Sequence, residues 1–228
     1  MTLLINDEKK LIFEYSPKSN CTVICKMFLQ YIGLLVTALK YNSWIHNYET
    51  DVYNKRQSIK PGIAYTKIKF IRNPYDRAVS SYLHVMTTKL RDSLPIHLKN
   101  ASFLEFLKNY HDIKNIRGAG HFKPQFNKYS ANFFHEIIKV ENLTDEVERI
   151  NKKYNLELNC NFNSSHWKSN YIANEEVDTK NYSDISWSII ESKIQSNELP
   201  EYNLFYDNES RALVEKIYAQ DIKVYFSI

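Results

Sequence analysis

The chain has 228 residues, 43% hydrophobic and 25% charged, which suffices for one substantial core and matches an ordinary folded domain, so a single domain over 1–228 is expected. Thirty Lys and Arg against 26 Asp and Glu leave a formal charge of +4, which admits an anionic ligand but is too mild to point to nucleic acid. Three cysteines, Cys21, Cys25 and Cys160, lack metal-ligand spacing and favour neither a disulfide framework nor a zinc site.

The opening MTLLINDEKK has no basic flank followed by a long apolar run, so it reads as neither signal peptide nor membrane anchor. Leu11 to Tyr15, LIFEY, is a β-prone run that stops at Ser16-Pro17. From Cys21 to Leu39 the apolar residues return at helical spacing, through Val23, Ile24, Met27, Phe28, Tyr31, Ile32 and Leu35. The most apolar stretch, MFLQYIGLLVTAL, is too short and interrupted to span a bilayer, and a buried helix explains it. Residues 41–62 are polar with interspersed aromatics and read as an irregular or short helical connection.

A second strand runs from Ala64 to Ile71 and ends at Arg72. Asn73-Pro74 then supplies an N-cap with proline at the first helical position, and Tyr75, Ala78, Val79, Tyr82 and Val85 form a helical face. Ser102 to Tyr110 reads as a short amphipathic helix, and Ile116 to Gln125, IRGAGHFKPQ, as a loop holding two of the four glycines. EIIKV at 136–140 is a third strand, and a helix begins at Thr144 with a polar start and a basic end. Residues 159–180 read as surface loop, and two helices, near 184–196 and 208–219, finish the chain. This order of strands and helices predicts an α/β fold with a parallel sheet wrapped by helices.

In such a sheet anions bind outside the carboxyl ends of the strands, where helix N-termini present N–H groups. The first turn offers the amides from Ser19 to Val23, the hydroxyls of Ser19 and Thr22, and the Lys18 ammonium. An ATP loop reads GxxxxGK[ST]; here lysine comes first and no glycine is present, which argues against ATP and magnesium. The second turn adds Arg72 at a strand end and Ser80 on the helix behind it, about 10 Å along the helix from Asn73, a span that a long Arg side chain partly closes.

PKSNCT at 17–22 and IRNPYDRAVSSY at 71–82 together resemble the two nucleotide signatures of the sulfotransferases, in particular the carbohydrate (Golgi-type, family 2-like) branch. HFKPQ at 121–125, IIKVENLTDEVERI at 137–150 and the tail from Tyr202 to Phe226 resemble that branch's later motifs. The resemblance implies a P-loop-NTPase-like three-layer fold and the donor 3′-phosphoadenosine 5′-phosphosulfate, with no metal. Carried over, Lys18, Ser19, Asn20, Cys21, Thr22 and Val23 would bind the 5′-phosphosulfate, and Arg72 with Ser80 the 3′-phosphate. Asn20 stands where many relatives carry Gly or Ala, which its tolerance of unusual backbone angles allows.

The acceptor implied is a hydroxyl, on a poly- or oligosaccharide or a glycolipid, with neither nucleic acid nor membrane insertion involved. The missing anchor fits a cytoplasmic enzyme, or a soluble form of a Golgi-type one. Relatives place the base between the two nucleotide motifs, where His46 and Glu49 stand; His46 is favoured because an imidazole near its usual pKa accepts a proton at neutral pH. Arg117, His121 and Lys123 are candidates for holding the acceptor. Asp76 and Arg77 read as surface contacts, and Tyr129, Tyr171 and Tyr182 as potential walls of an acceptor groove. An ATP-dependent small-molecule kinase and an inert nucleotide-binding homologue are the competing readings.

Overall fold

The computed structural model describes residues 1–126, 133–162 and 180–228. Four strands, β1 (Thr2–Asn6), β2 (Leu11–Tyr15), β3 (Thr66–Ile71) and β4 (Glu136–Lys139), form one sheet in the order β1-β2-β3-β4. Ten α-helices are described: α1 (Cys21–Tyr31), α2 (Leu35–Tyr41), α3 (Ile45–Tyr48), α4 (Pro74–Thr87), α5 (Phe103–Lys108), α6 (Tyr110–Ile113), α7 (Leu143–Tyr154), α8 (Trp187–Gln195), α9 (Asn208–Ile217) and α10 (Ala219–Ser227). The described residues divide into two compact units, the first within 1–72 and 125–164 and the second within 73–124 and 165–228.

The first unit holds the sheet. β2 pairs parallel with β3, and β3 with β4, as the α/β pattern predicts. β2 is buried along its whole length, so even Glu14 is enclosed; it pairs with the buried Lys69 directly opposite on β3. Phe13, Phe28, Phe70 and Ile138 join α1 and α7 to the sheet in one core. Phe13 meets Phe28 and Phe70 edge-on, with ring centroids 5.2 and 4.9 Å away.

Two expectations are corrected here. The sheet is mixed, because TLLIN, read above only for targeting signals, forms β1 and pairs antiparallel with β2 from Thr2↔Tyr15 to Asn6↔Leu11. The helix expected over 21–39 is two helices. Gly33 takes φ 76°, donates its N–H to the Gln30 carbonyl (3.0 Å), and lets the Leu34 N–H reach Leu29 (2.7 Å). That paired closure is the Schellman arrangement, in which a left-handed residue terminates a helix and satisfies its last carbonyls.

The second unit packs α4, α5, α8 and α9 around Val79, Tyr82, Phe103, Phe106, Trp187 and Phe205. Asn73 caps α4 as predicted, accepting from the Tyr75 N–H at 3.0 Å ahead of Pro74. Ser102 and Glu105 cap α5 reciprocally. Helix α7 starts at Leu143 with no side-chain cap, so the expected polar start contributes charge and not a capping bond. The last helix is followed by a separate α10, the chain breaking at Tyr218. Most of the loop expected over 159–180, with Tyr129 and Tyr171, lies outside the described residues. Tyr182 is buried in the second core against Phe205 and is not a groove wall.

Candidate functional site

The loop after β2 is the starting point. With no glycine available, its turn is made by Lys18 at φ 69° and Asn20 at φ 58°, two left-handed residues flanking Ser19. Side chains rarely adopt that region, at a cost on the order of 1 kcal/mol each, so the loop holds local strain of the kind found where amides must converge on a ligand. The Asn20 conformation matches the reason given for tolerating Asn there.

The amides are fewer than expected. Ser19 N–H donates to the Ser16 carbonyl (3.2 Å) and Val23 N–H to the Asn20 carbonyl (3.1 Å). That leaves Asn20, Cys21 and Thr22 at the start of α1, where N–H groups have no partner within the helix. The Ser19 hydroxyl is engaged as well: buried, it donates to Gln125 Oε1 at 2.8 Å.

Gln125 joins the two turns. Its Oε1 also accepts from the Arg72 N–H (2.9 Å) and its Nε2 donates to the Arg72 carbonyl (2.9 Å), so the side-chain amide acts as a strand partner just past β3. Arg72 Nη1 in turn donates to the Lys18 carbonyl at 3.2 Å. Sequence reasoning gave Gln125 no role beyond its place in HFKPQ. Its one signal is that an amide side chain carries, on separate atoms, both the donor and the acceptor that a strand backbone needs.

His46 and Glu49, expected as rival bases, form one pair. They sit one turn apart where α3 passes into a π-helical turn over Glu49–Tyr53, and His46 Nδ1 lies 2.5 Å from Glu49 Oε2. Glu49 is 2% exposed. The other ring nitrogen, Nε2, faces Thr22 Oγ1 in the first turn of α1 at 3.3 Å.

Burial alone would lower the His46 pKa, but hydrogen bonds to Cys21 and Glu49 overcome it and push the value up to about 10. Its partners thus favour the protonated ring, where the sequence suggested an imidazole near its usual pKa. Burial likewise works to raise Cys21, yet its bond with His46 holds that thiol below its ordinary value. Burial pushes Cys25 and Tyr15 well up. Although the cysteine spacing gave no sign of a metal site, the fold brings Cys25 Sγ, a His46 nitrogen and a Glu49 oxygen within 4.8 Å of one another.

The remaining candidates belong to the second unit. Ser80 is buried on α4. Arg117 and Lys123 are exposed. His121 is half-buried, its ring 4.3 Å from that of His84 and its carbonyl accepting from Ser81 Oγ (2.6 Å) and Arg77 Nη2 (3.3 Å). Arg77, expected at the surface, is 1% exposed, because it serves as an internal donor to the loop at 121.

Among the described residues no helix is long and apolar enough to cross a membrane. Neither a curated protein nor a solved structure matches the chain. A family model described as "Sulfotransferase family" matches residues 1–227, running through both strand-to-helix turns, the His46–Glu49 pair and all but the last residue of the second unit. The chain belongs to the sulfotransferase family.

Proposed function

We propose that this sulfotransferase moves the sulfuryl group of 3′-phosphoadenosine 5′-phosphosulfate to a saccharide hydroxyl, as a single domain over 1–228 of the P-loop-like three-layer kind. The observation that carries the reading is the 3.3 Å approach of His46 Nε2 to Thr22 Oγ1, since it puts a proton-accepting nitrogen at the loop suited to the donor's anion.

In this reading the amides of Asn20, Cys21 and Thr22, with the Lys18 ammonium, hold the 5′-phosphosulfate. Arg72 and Ser80 take the 3′-phosphate. Ser19 acts through Gln125, by fixing the loop, and Val23 by its place in the first turn of α1. The acceptor oxygen attacks sulfur in line as the S–O bond to the 5′-phosphate breaks; the electron pair stays on the bridging oxygen, leaving 3′-phosphoadenosine 5′-phosphate. Lys18 stabilises that developing charge.

The acceptor proton goes to Nε2 of the neutral ring, the proton that Cys21 and Glu49 favour on the ring having first left to solvent. Glu49 holds Nδ1 and so fixes the ring's orientation, which supports His46 as base with Glu49 as its positioning partner. Arg117, His121 and Lys123 are proposed to hold an anionic saccharide.

Transfer of labelled sulfate from the donor to a panel of saccharides tests the reading. Wild-type protein is expected to label a saccharide, and His46→Ala to lose about 10²-fold or more of the rate, the scale of general base catalysis. Full activity in His46→Ala would remove the base from this account.

A further inference from the structure

We infer that Cys25, His46 and Glu49 form a binding site for a thiophilic divalent cation of the zinc class, and that its occupancy switches the proposed transfer off. Cys25 has no part in the transfer mechanism and is fully buried on α1. Even so, its sulfur, a His46 nitrogen and a Glu49 oxygen lie within 4.8 Å of one another. Ligands of a tetrahedral zinc ion sit about 3.5 Å apart, given metal bonds of about 2.0–2.3 Å, so small side-chain rotations close the set.

The donor types select the metal. One thiolate, one imidazole and one carboxylate suit zinc or cobalt, whereas magnesium and calcium prefer oxygen ligands throughout. Three protein ligands leave a fourth position for water or an anion.

A second observation points into the same cluster. The Tyr15 hydroxyl, at the end of β2, is buried against the same cluster: it makes no well-formed hydrogen bond, yet Glu49 and Cys25 both act on it at close range. With a cation bound, Tyr15 donates to the metal-bound carboxylate, the usual arrangement behind a ligating group.

On coordination the Cys25 thiol proton leaves to solvent, as does the second proton of a doubly protonated His46. No oxidation is involved. Because the inhibitory role rests on the proposed use of His46 as base, whereas binding does not, the two are tested separately.

Cobalt(II) titration of the full chain reads binding directly through the thiolate-to-cobalt charge-transfer absorption. One cobalt per chain is expected, with the band displaced by zinc, absent in Cys25→Ala and His46→Ala, and retained in Cys160→Ala. Tyr15→Phe is expected to bind about tenfold more weakly. A folded wild-type chain that shows no band, or a band that survives Cys25→Ala, overturns the site. In transfer assays zinc is expected to inhibit the wild type reversibly, with activity restored by a chelator, and to leave Cys25→Ala active. Inhibition that persists in Cys25→Ala overturns the switch, and a chain with a cobalt band but no transfer in any condition overturns the switch while upholding the site.

Discussion

Gln125 Oε1 accepts simultaneously from Ser19 Oγ and from the Arg72 N–H, at 2.8 and 2.9 Å, so one buried amide holds the loop after β2 to the end of β3. Gln125→Leu strands the Ser19 hydroxyl and both backbone groups of Arg72. Leaving buried polar groups unsatisfied costs about 1–3 kcal/mol, so a loss of that size in urea denaturation is expected. A change under about 0.5 kcal/mol, the range of ordinary surface substitutions, would show that the amide does not hold the turns.

Lys18 is proposed to stabilise the leaving phosphate, an interaction made mainly in the transition state. Lys18→Ala is expected to lower kcat by about 10²–10³, the scale of removing one such donor. Because Lys18 adopts φ 69°, Lys18→Gly is the cleaner companion: it relieves strain while removing the charge. Single-turnover rates beside circular dichroism separate chemistry from folding. An active Lys18→Gly enzyme would contradict the assignment.

Asn20 tests the backbone reading of the loop. At φ 58°, Asn20→Gly is expected to leave stability within a few tenths of a kcal/mol or raise it, whereas Asn20→Val, β-branched and intolerant of that region, is expected to cost about 1–3 kcal/mol. Thermal melts of both variants check the contrast, and equal melting temperatures would contradict it.

Stability toward acid is expected to depend on Glu136. Burial would raise its pKa, but hydrogen bonds from Lys153, Tyr154 and Arg149 hold it down at about 2, against an ordinary value of 4.5. A depressed carboxylate stabilises the fold fully above its unfolded value and loses that contribution as pH falls from 4.5 through about 2. Its partners Arg149 and Lys153 are roughly half exposed, which limits the contribution to the order of 2 kcal/mol. Urea midpoints of wild type and Glu136→Gln should differ above this window and converge below it.

What was legible in the sequence was what local chemistry decides. The run LIFEY, the Asn73-Pro74 cap and the helical face behind it announce two strand-to-helix crossovers, and with them the positions of Lys18 and Arg72. Gly33 carried a readable stop signal that the continuous apolar spacing of 21–39 obscured. β1 was hidden because its hairpin turn has no glycine: Lys10 takes φ 49° and closes onto Asp7.

Contacts between distant segments left no local trace. Gln125 lies 53 residues from Arg72 and 106 from Ser19, and neither spacing has a periodicity to detect. The cysteines were judged by their spacing along the chain, whereas Cys25 meets His46 and Glu49 only after α1 and α3 pack together. The raised His46 pKa follows from the same packing and could not be read from residue type.

The donor is the central claim, and a thermal shift on the full chain tests it most directly. A ligand present at one hundred times its Kd stabilises the native state by about 2.7 kcal/mol, which for a chain of this size raises Tm by about 5–10 °C. The account predicts such a rise with 3′-phosphoadenosine 5′-phosphate, reduced in Lys18→Gly, and none with ATP plus magnesium. A rise with ATP plus magnesium and none with 3′-phosphoadenosine 5′-phosphate would contradict it.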